Sequence, residues 1–244
     1  MDEEKVDSIA DAMAQVASLA GAATGVEDTL PLVTYAACAN LPGVDFASVT
    51  IRHPDGRLET FAPTHELTVQ ADKLQYAYRE GPCYEAVVDQ KPVVSADLAR
   101  DPRWPRFGVD AALLGFSSLF ALEIYNNDQS RGALNLYSRE TDAFEGEHDL
   151  VRLFGCYAAG ILGYAAEVDQ LHRALETRGE IGRAVGIIME RYGLNEQRAF
   201  EFLIRVSQTG NIKLRTVAHS IVESSNSSTP GDDVSPSGVL PEQG

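Results

Sequence analysis

Between Asp149 and Tyr192 the chain carries one repeating apolar seam. Phe154, Tyr157, Ile161, Tyr164, Val168, Leu171 and Leu175 step alternately by three and four residues, the spacing that keeps one face of a helix turned toward a partner helix. No proline falls between Pro105 and Pro230, so nothing interrupts the backbone hydrogen-bond ladder. An unbroken helix of roughly 43 residues is about 65 Å long, more than the core of one small domain covers. The pattern predicts packing on the helix's own domain as far as about residue 165, and a homodimer formed through the heptad helix 154–178.

Upstream of that helix the periods change. Val6, Ile9, Met13 and Val16 recur at helical spacing, which predicts an amphipathic helix over 4–20. Leu30 to Ala39 reads as a second helix. ASVTIRH and RLETFA flank Pro54-Asp55-Gly56, a hairpin in which Asp-Gly supplies the positive φ of a tight turn. Residues 66–80 read as helix. Gly81-Pro82 ends that helix and opens a short one through Val88, and PVVS (92–95) reads as a strand. SSLFALEIY and GALNLYS are two further strands joined by a polar turn. Irregular alternation with antiparallel hairpins predicts the α+β class, one antiparallel sheet with helices against it.

Beyond Gly193, Asn195 is placed as an N-cap. Ala199, Phe202, Leu203 and Val206 form one apolar stripe. Thr209-Gly210-Asn211 breaks the chain, and Leu214, Val217, Ala218 and Ile221 form another stripe. Three helices in so few residues make a small bundle that gains from dimerisation. The expected organisation is an N-terminal helix within 1–24, a domain over 25–165, a helical unit over 166–224 and a Ser/Pro-rich disordered tail over 225–244.

Charge separates the same parts. The net charge is −16, yet residues 171–223 hold eight Lys/Arg against six Asp/Glu. An acidic majority excludes coating of nucleic acid or anionic membrane by bulk attraction, and the basic segment points to a different task. The N-terminus MDEEKVDSIADAM is acidic, unlike a signal peptide, and no apolar run approaches the ~18 residues that span a bilayer. Cys38, Cys83 and Cys156 are odd in number and far apart. They predict no disulfide framework and a reducing cytoplasm.

Signatures of chemistry are absent. There is no phosphate loop, nucleophile elbow or H-E-x-x-H, and His53, His65, His148, His172 and His219 lack ligand spacing. The expectation is a non-enzyme without a metal site, its cofactor unknown. Cys83 opens a helix, where the dipole lowers a thiol pKa and suits a redox sensor or nucleophile. The commoner fate of such a cysteine is a small buried thiol, and that reading is preferred. Trp104, the only tryptophan, reads as the packing anchor of the loop SADLARDPRWPRF.

Two stretches resemble known families. DKLQYAYREGPCYEA, ADLARDPRWPRF, GFSSLFALEI, GALNLYS and DAFEGEHD resemble the actinobacterial branch of the GAF domain family. The resemblance implies an antiparallel sheet of five or six strands flanked by helices, and a sensor that takes a small-molecule ligand or redox signal. EIGRAVGIIMERYGLNEQRAFEFLIRVSQTGNIKLRTVAHSIV resembles the ANTAR domain family, with Ala184, Gly186, Ile187, Met189, Ala199, Phe200, Leu203, Leu214, Val217 and Ala218 at the family's places. Many members carry Lys where this chain has Val185, which implies one cation fewer on an RNA-facing surface. The pairing implies a sensor that controls RNA binding: a dimer holding paired hairpin loops in leader transcripts and preventing a terminator from forming, with no membrane partner.

Helix geometry divides AVGIIMERYG accordingly. Ile181, Ala184, Ile188 and Tyr192 share a stripe assigned mostly to the bundle core, and Arg183, Ile187, Glu190 and Arg191 share another. Gly186 costs about 1 kcal/mol of helix stability relative to alanine, which points to close backbone approach by a neighbouring helix, or else by RNA. The candidate RNA-binding residues are Arg183, Gly186, Ile187, Met189, Arg191, Tyr192, Lys213 and Arg215, with a solvated charged face as the plain alternative for the cations. Three other classes stay open. One is a sensor acting through protein partners; another is a DNA-binding helix-turn-helix. The third, a GAF-type methionine sulfoxide reductase, requires clustered cysteines that these spacings do not resemble.

Overall fold

The computed structural model describes residues 13, 14, 16–18, 25–126 and 131–226. These form two compact units, one ending at Gln170 and one beginning at Leu171. The first opens with α1 (Val26–Asn40) and the hairpin β1 (Phe46–Arg52) and β2 (Leu58–Phe61). Asp55 Oδ1 accepts from the Arg57 N–H at 2.9 Å and Gly56 takes φ +85°, the turn that Asp-Gly predicted. Then follow α2 (Glu66–Tyr78), α3 (Pro82–Asp89), β3 (Val93–Ser95), a 3₁₀ turn (Leu98–Arg100), α4 (Phe107–Leu113), β4 (Ser118–Asn126) and β5 (Arg131–Ser138). The five strands lie in the order β2-β1-β5-β4-β3, every pairing antiparallel.

Alternation along the strands gives the sheet two buried faces. Val49, Phe120, Leu122, Leu134 and Leu136 pack with Val33 and Ala37 of α1 and with the start of α5 (His148–Tyr192). Leu119, Ala121, Ala133 and Tyr137 pack with Ala71, Cys83, Ala86, Phe107 and Ala111 of α2, α3 and α4. Gly155 lets α5 lie close on β4, since a Cβ there would stand 2.0 Å from Leu122 Cδ1.

The long helix is continuous, as its periodicity required, but the heptad seam is not the buried line. Phe154, Ala158 and Leu162 enter the core, whereas Tyr157 and Ile161 are half-buried against it and Tyr164 is 60% exposed. A straight helix of 3.6 residues per turn drifts about 20° per heptad away from a 3.5-residue repeat, so a helix packed on a sheet rotates the seam outward. Leu171 and Leu175 of the same repeat, which belong to the second unit, are 64% and 65% exposed.

In the second unit the end of α5 packs with α6 (Glu196–Gly210) and α7 (Leu214–Asn226). Gly193 at φ +62° stops α5, and the side chain of Asn195 caps α6 by accepting from the Arg198 N–H at 2.9 Å. The core is Ala184, Val185, Ile188, Ala199, Leu203, Val217 and Ala218. Phe202 and Val206, expected inside, are more than a third exposed, because two short neighbours cover only the centre of the α6 stripe. Helix α7 runs to Asn226, two residues into the expected tail, with Ser224 Oγ bonded to the Ser220 carbonyl at 2.7 Å. The rest of that tail lies outside the described residues, as does most of the helix expected over 4–20, of which 13, 14 and 16–18 are helical with Val16 buried. Among the described residues no helix is long and apolar enough to cross a membrane.

Candidate functional site

The interior of the first unit holds a polar cluster where a core is normally apolar. Ser48 and Thr50 of β1, Asp72 of α2, and Asn135 and Tyr137 of β5 are fully buried. Ser48 donates to Asp72 Oδ2 at 2.8 Å, Thr60 donates to the same oxygen at 3.1 Å, and Tyr137 donates to Oδ1 at 2.5 Å. Asn135 Nδ2 donates to Thr50 Oγ1 at 2.9 Å, and Thr50 Oγ1 lies 2.7 Å from Tyr76 OH and 2.9 Å from Cys83 Sγ. Burial pushes the Asp72 carboxyl up to about 6 against the pull of Tyr137, Ser48 and Thr60. Burial, followed by the neighbouring Asp72 charge, holds the Tyr137 hydroxyl and the Cys83 thiol well above their ordinary values. Asn135 Oδ1 has no hydrogen-bond partner among the described residues.

The EGPCYEA stretch is scaffolding for this cluster. Gly81 takes φ +111°, and a Cβ there would stand 2.3 Å from Gln75 Oε1. That oxygen accepts from the Cys83 N–H at 2.9 Å, while Gln75 Nε2 donates to Tyr137 OH at 3.1 Å. Cys83 thus sits at a helix start, but burial outweighs the dipole and the thiol stays protonated. Trp104 is an anchor, as expected: its Nε1 donates to Glu85 Oε1 at 2.7 Å, and the Arg103 guanidinium lies 4.1 Å over its ring. Among the described residues no group of three His, Cys, Asp or Glu is placed to hold a metal.

On the second unit the predicted cations Arg183, Arg191, Lys213 and Arg215 are all exposed. Their neighbours sort differently from the sequence expectation. Val185 is not on a surface that lost a charge: it is 7% exposed and belongs to the core, because positions 181, 184, 185 and 188 lie on one side of the helix. Met189 packs half-buried against that core, and Ile187 is half-exposed. Tyr192, assigned to the core stripe, is instead 58% exposed. Gly186 has no neighbouring helix among the described residues, since a Cβ there meets nothing within 4 Å.

The structure also relates the cations to one another. His219 Nδ1 of α7 lies 2.5 Å from Glu180 Oε1 of α5, and its Nε2 lies 3.2 Å from Glu223 Oε1. Arg183 follows Glu180 by one turn and lines a groove with Glu176 and Gly179; Arg215 precedes His219 by one turn. The joint therefore ties the helix of Arg183 to the helix of Arg215, which Lys213 immediately precedes. The Glu180 hydrogen bond and the Glu223 charge raise the His219 pKa above the usual histidine value. A raised histidine stabilises the fold below its unfolded pKa, and the contribution is lost as pH rises through the folded one. Amide exchange of α7 is expected to accelerate as pH rises above neutral, beyond the intrinsic change, and His219→Gln is expected to abolish that slope. An unchanged slope in the variant rules out the joint as its source.

Sequence periodicity missed the buried cluster and the joint. Asn135 alternates with Leu134 and Leu136, which reads as a solvent-facing position until helices are known to cover both faces. His219 and Glu180 are far apart in the chain, and no local pattern links them.

Comparison with known proteins places both units. The GAF domain family matches residues 23–163, and the ANTAR domain family matches residues 169–222. No curated protein sequence matches the chain. Among solved structures, the N-acylhomoserine lactone dependent LuxR family transcription factor CepR2 from Burkholderia cenocepacia aligns with a TM-score of 0.53 at 19% identity, over 66% of this chain and 97% of that one. The GAF domain of a phosphoenolpyruvate-protein phosphotransferase from Coxiella burnetii aligns with a TM-score of 0.52 at 21% identity, over 66% and 95%. At such identities the likeness is one of fold.

Proposed function

The chain belongs to the GAF domain family and carries an ANTAR domain behind its GAF unit, and from that premise we propose that a signal received by the first unit controls the grip of the second on paired RNA hairpin loops. The two domains are of a regulatory, non-catalytic kind, a sensor joined to an RNA-binding antitermination module. The observation that carries the proposal is the surface of the second unit. In a chain of net charge −16, this bundle buries Val185, Ile188 and Leu203 and leaves Arg183, Arg191, Lys213 and Arg215 exposed. Those cations hold phosphates, while Gly186, Ile187 and Met189 line the approach to the backbone of α5.

The protein acts as a homodimer. Tyr164, Leu171 and Leu175 form an exposed apolar line along α5, and a second copy of the helix covers it. Two bound hairpins then gain affinity from effective concentration. Holding them denies the overlapping terminator stem and lets transcription continue. The signal is a small molecule or a redox change. Cys83 is fully buried with its thiol pushed up, and burial also raises the Cys38 thiol, so neither supplies much reactive thiolate; Cys156 is the exposed cysteine.

The test is binding of the full chain to a pool of randomised-loop RNA hairpins at two salt concentrations, with the mass of the complex measured in solution. Enrichment of paired hairpins by a dimer is expected, with affinity falling steeply as salt rises. Arg183→Ala is expected to weaken binding several-fold and to flatten the log–log salt slope by about one. Unchanged affinity in the variant removes Arg183 from the site. Equal binding of duplex DNA favours a DNA-binding regulator, and no nucleic-acid binding at all favours a sensor acting through protein partners.

A further inference from the structure

The second unit displays two aromatic rings in contact on its surface. Tyr192, at the end of α5, and Phe202, in the middle of α6, have ring centroids 5.8 Å apart at an interplanar angle of 36°. They are 58% and 39% exposed, so each ring has a face that the described residues leave uncovered. On α6, Arg198 precedes Phe202 by four residues and Arg205 follows it by three, which places both guanidinium side chains one turn from the ring on the same helix surface. Both arginines are exposed, and neither forms an ion pair among the described residues. Glu201, which precedes Phe202, is engaged by Gln197 Nε2 at 3.2 Å.

An exposed aromatic pair flanked by unpaired cations suits one occupant in particular. A nucleobase presents a flat π face that stacks on an aromatic ring, and its nucleotide is followed on each side by a phosphate. A partner helix can offer a ring but not a phosphate on each side of it, and a second copy of this surface would bring like charges together. We propose that Tyr192 and Phe202 form a platform on which one unpaired base of an RNA loop stacks, with Arg198 and Arg205 holding the phosphates on either side of it. This extends the RNA surface from α5 and the start of α7 onto α6, and it rests on the RNA-binding reading given above.

The probe is a hairpin enriched from the randomised pool, remade with 2-aminopurine in place of each loop adenine in turn, because stacking quenches that base's fluorescence. With the full-length protein, quenching on binding is expected at one loop position. Phe202→Leu, which keeps apolar volume and removes the π face, is expected to weaken binding roughly tenfold, the scale of one lost stacked base, and to remove the quenching at saturation. Phe202→Tyr restores both. Arg198→Gln lowers the salt slope by about one and leaves the quenching intact. If the hairpin binds and Phe202→Leu matches the parent in affinity and quenching, the platform is overturned while the RNA-binding reading stands. If the parent protein enriches no hairpin, both fail. A change in the solution mass of Phe202→Leu would make the patch a contact between copies, and also overturns the platform.

Discussion

Asp72→Ala is expected to destabilise the first unit by about 2–4 kcal/mol at neutral pH. The carboxylate accepts from Ser48, Thr60 and Tyr137. Removing it strands buried donors at roughly 1–3 kcal/mol each, offset in part by relief of the carboxylate's own desolvation. Asp72→Asn separates the two effects. The folded carboxyl is raised to about 6, above the unfolded value near 4. Between those values the folded state keeps a proton that the unfolded state has released. Stability is therefore full below about pH 4, falls as pH rises to about 6, and is flat beyond, a total loss of roughly 3 kcal/mol for a fully buried group. In Asp72→Asn that segment of the pH profile is expected to disappear, with hydroxyls turning to satisfy the amide. Denaturant unfolding between pH 4 and 7 reads both variants. A slope that survives in Asp72→Asn assigns the titration elsewhere.

The larger single loss is expected for Trp104→Ala, about 3–5 kcal/mol. The indole is 1% exposed and sits in the core formed by α2, α3, α4 and the sheet. Its removal leaves a cavity and takes the N–H donor from Glu85 Oε1. Trp104→Phe keeps most of the volume and is expected to lose far less, which divides packing from the hydrogen bond. Chemical denaturation read by tyrosine absorbance and far-UV circular dichroism measures both, since the only tryptophan is lost. Equal losses in the two variants would assign the stability to the Glu85 bond. The second unit, which does not contain Trp104, is expected to keep its amide protection.

Both predictions concern groups whose significance the sequence carried unequally. Trp104 was legible because a lone tryptophan in a polar, proline-rich loop has few places to go but inward. Asp72 was not, because an aspartate in an amphipathic helix has the same local signature whether it faces water or a sheet. The Gln75-Gly81-Pro82-Cys83 arrangement was visible as a motif, but its work became apparent only when Gln75 bridged the Cys83 N–H and the Tyr137 hydroxyl.

Local physics set the elements. The Asp-Gly hairpin, the Gly81-Pro82 break, the Asn195 cap and the uninterrupted α5 depend on residues a few positions apart, and a one-dimensional pattern records them. Burial depends on what arrives from elsewhere in the chain. The sheet under the start of α5 turned Tyr164 of the heptad line outward, since packing on a sheet follows the helix's own pitch. Helices α6 and α7 enclosed Val185 and left Tyr192 outside, because two short neighbours cover only part of a helix's circumference. The same incomplete cover leaves Tyr192 and Phe202 side by side at the surface, an adjacency between two helices that no spacing along the chain encodes.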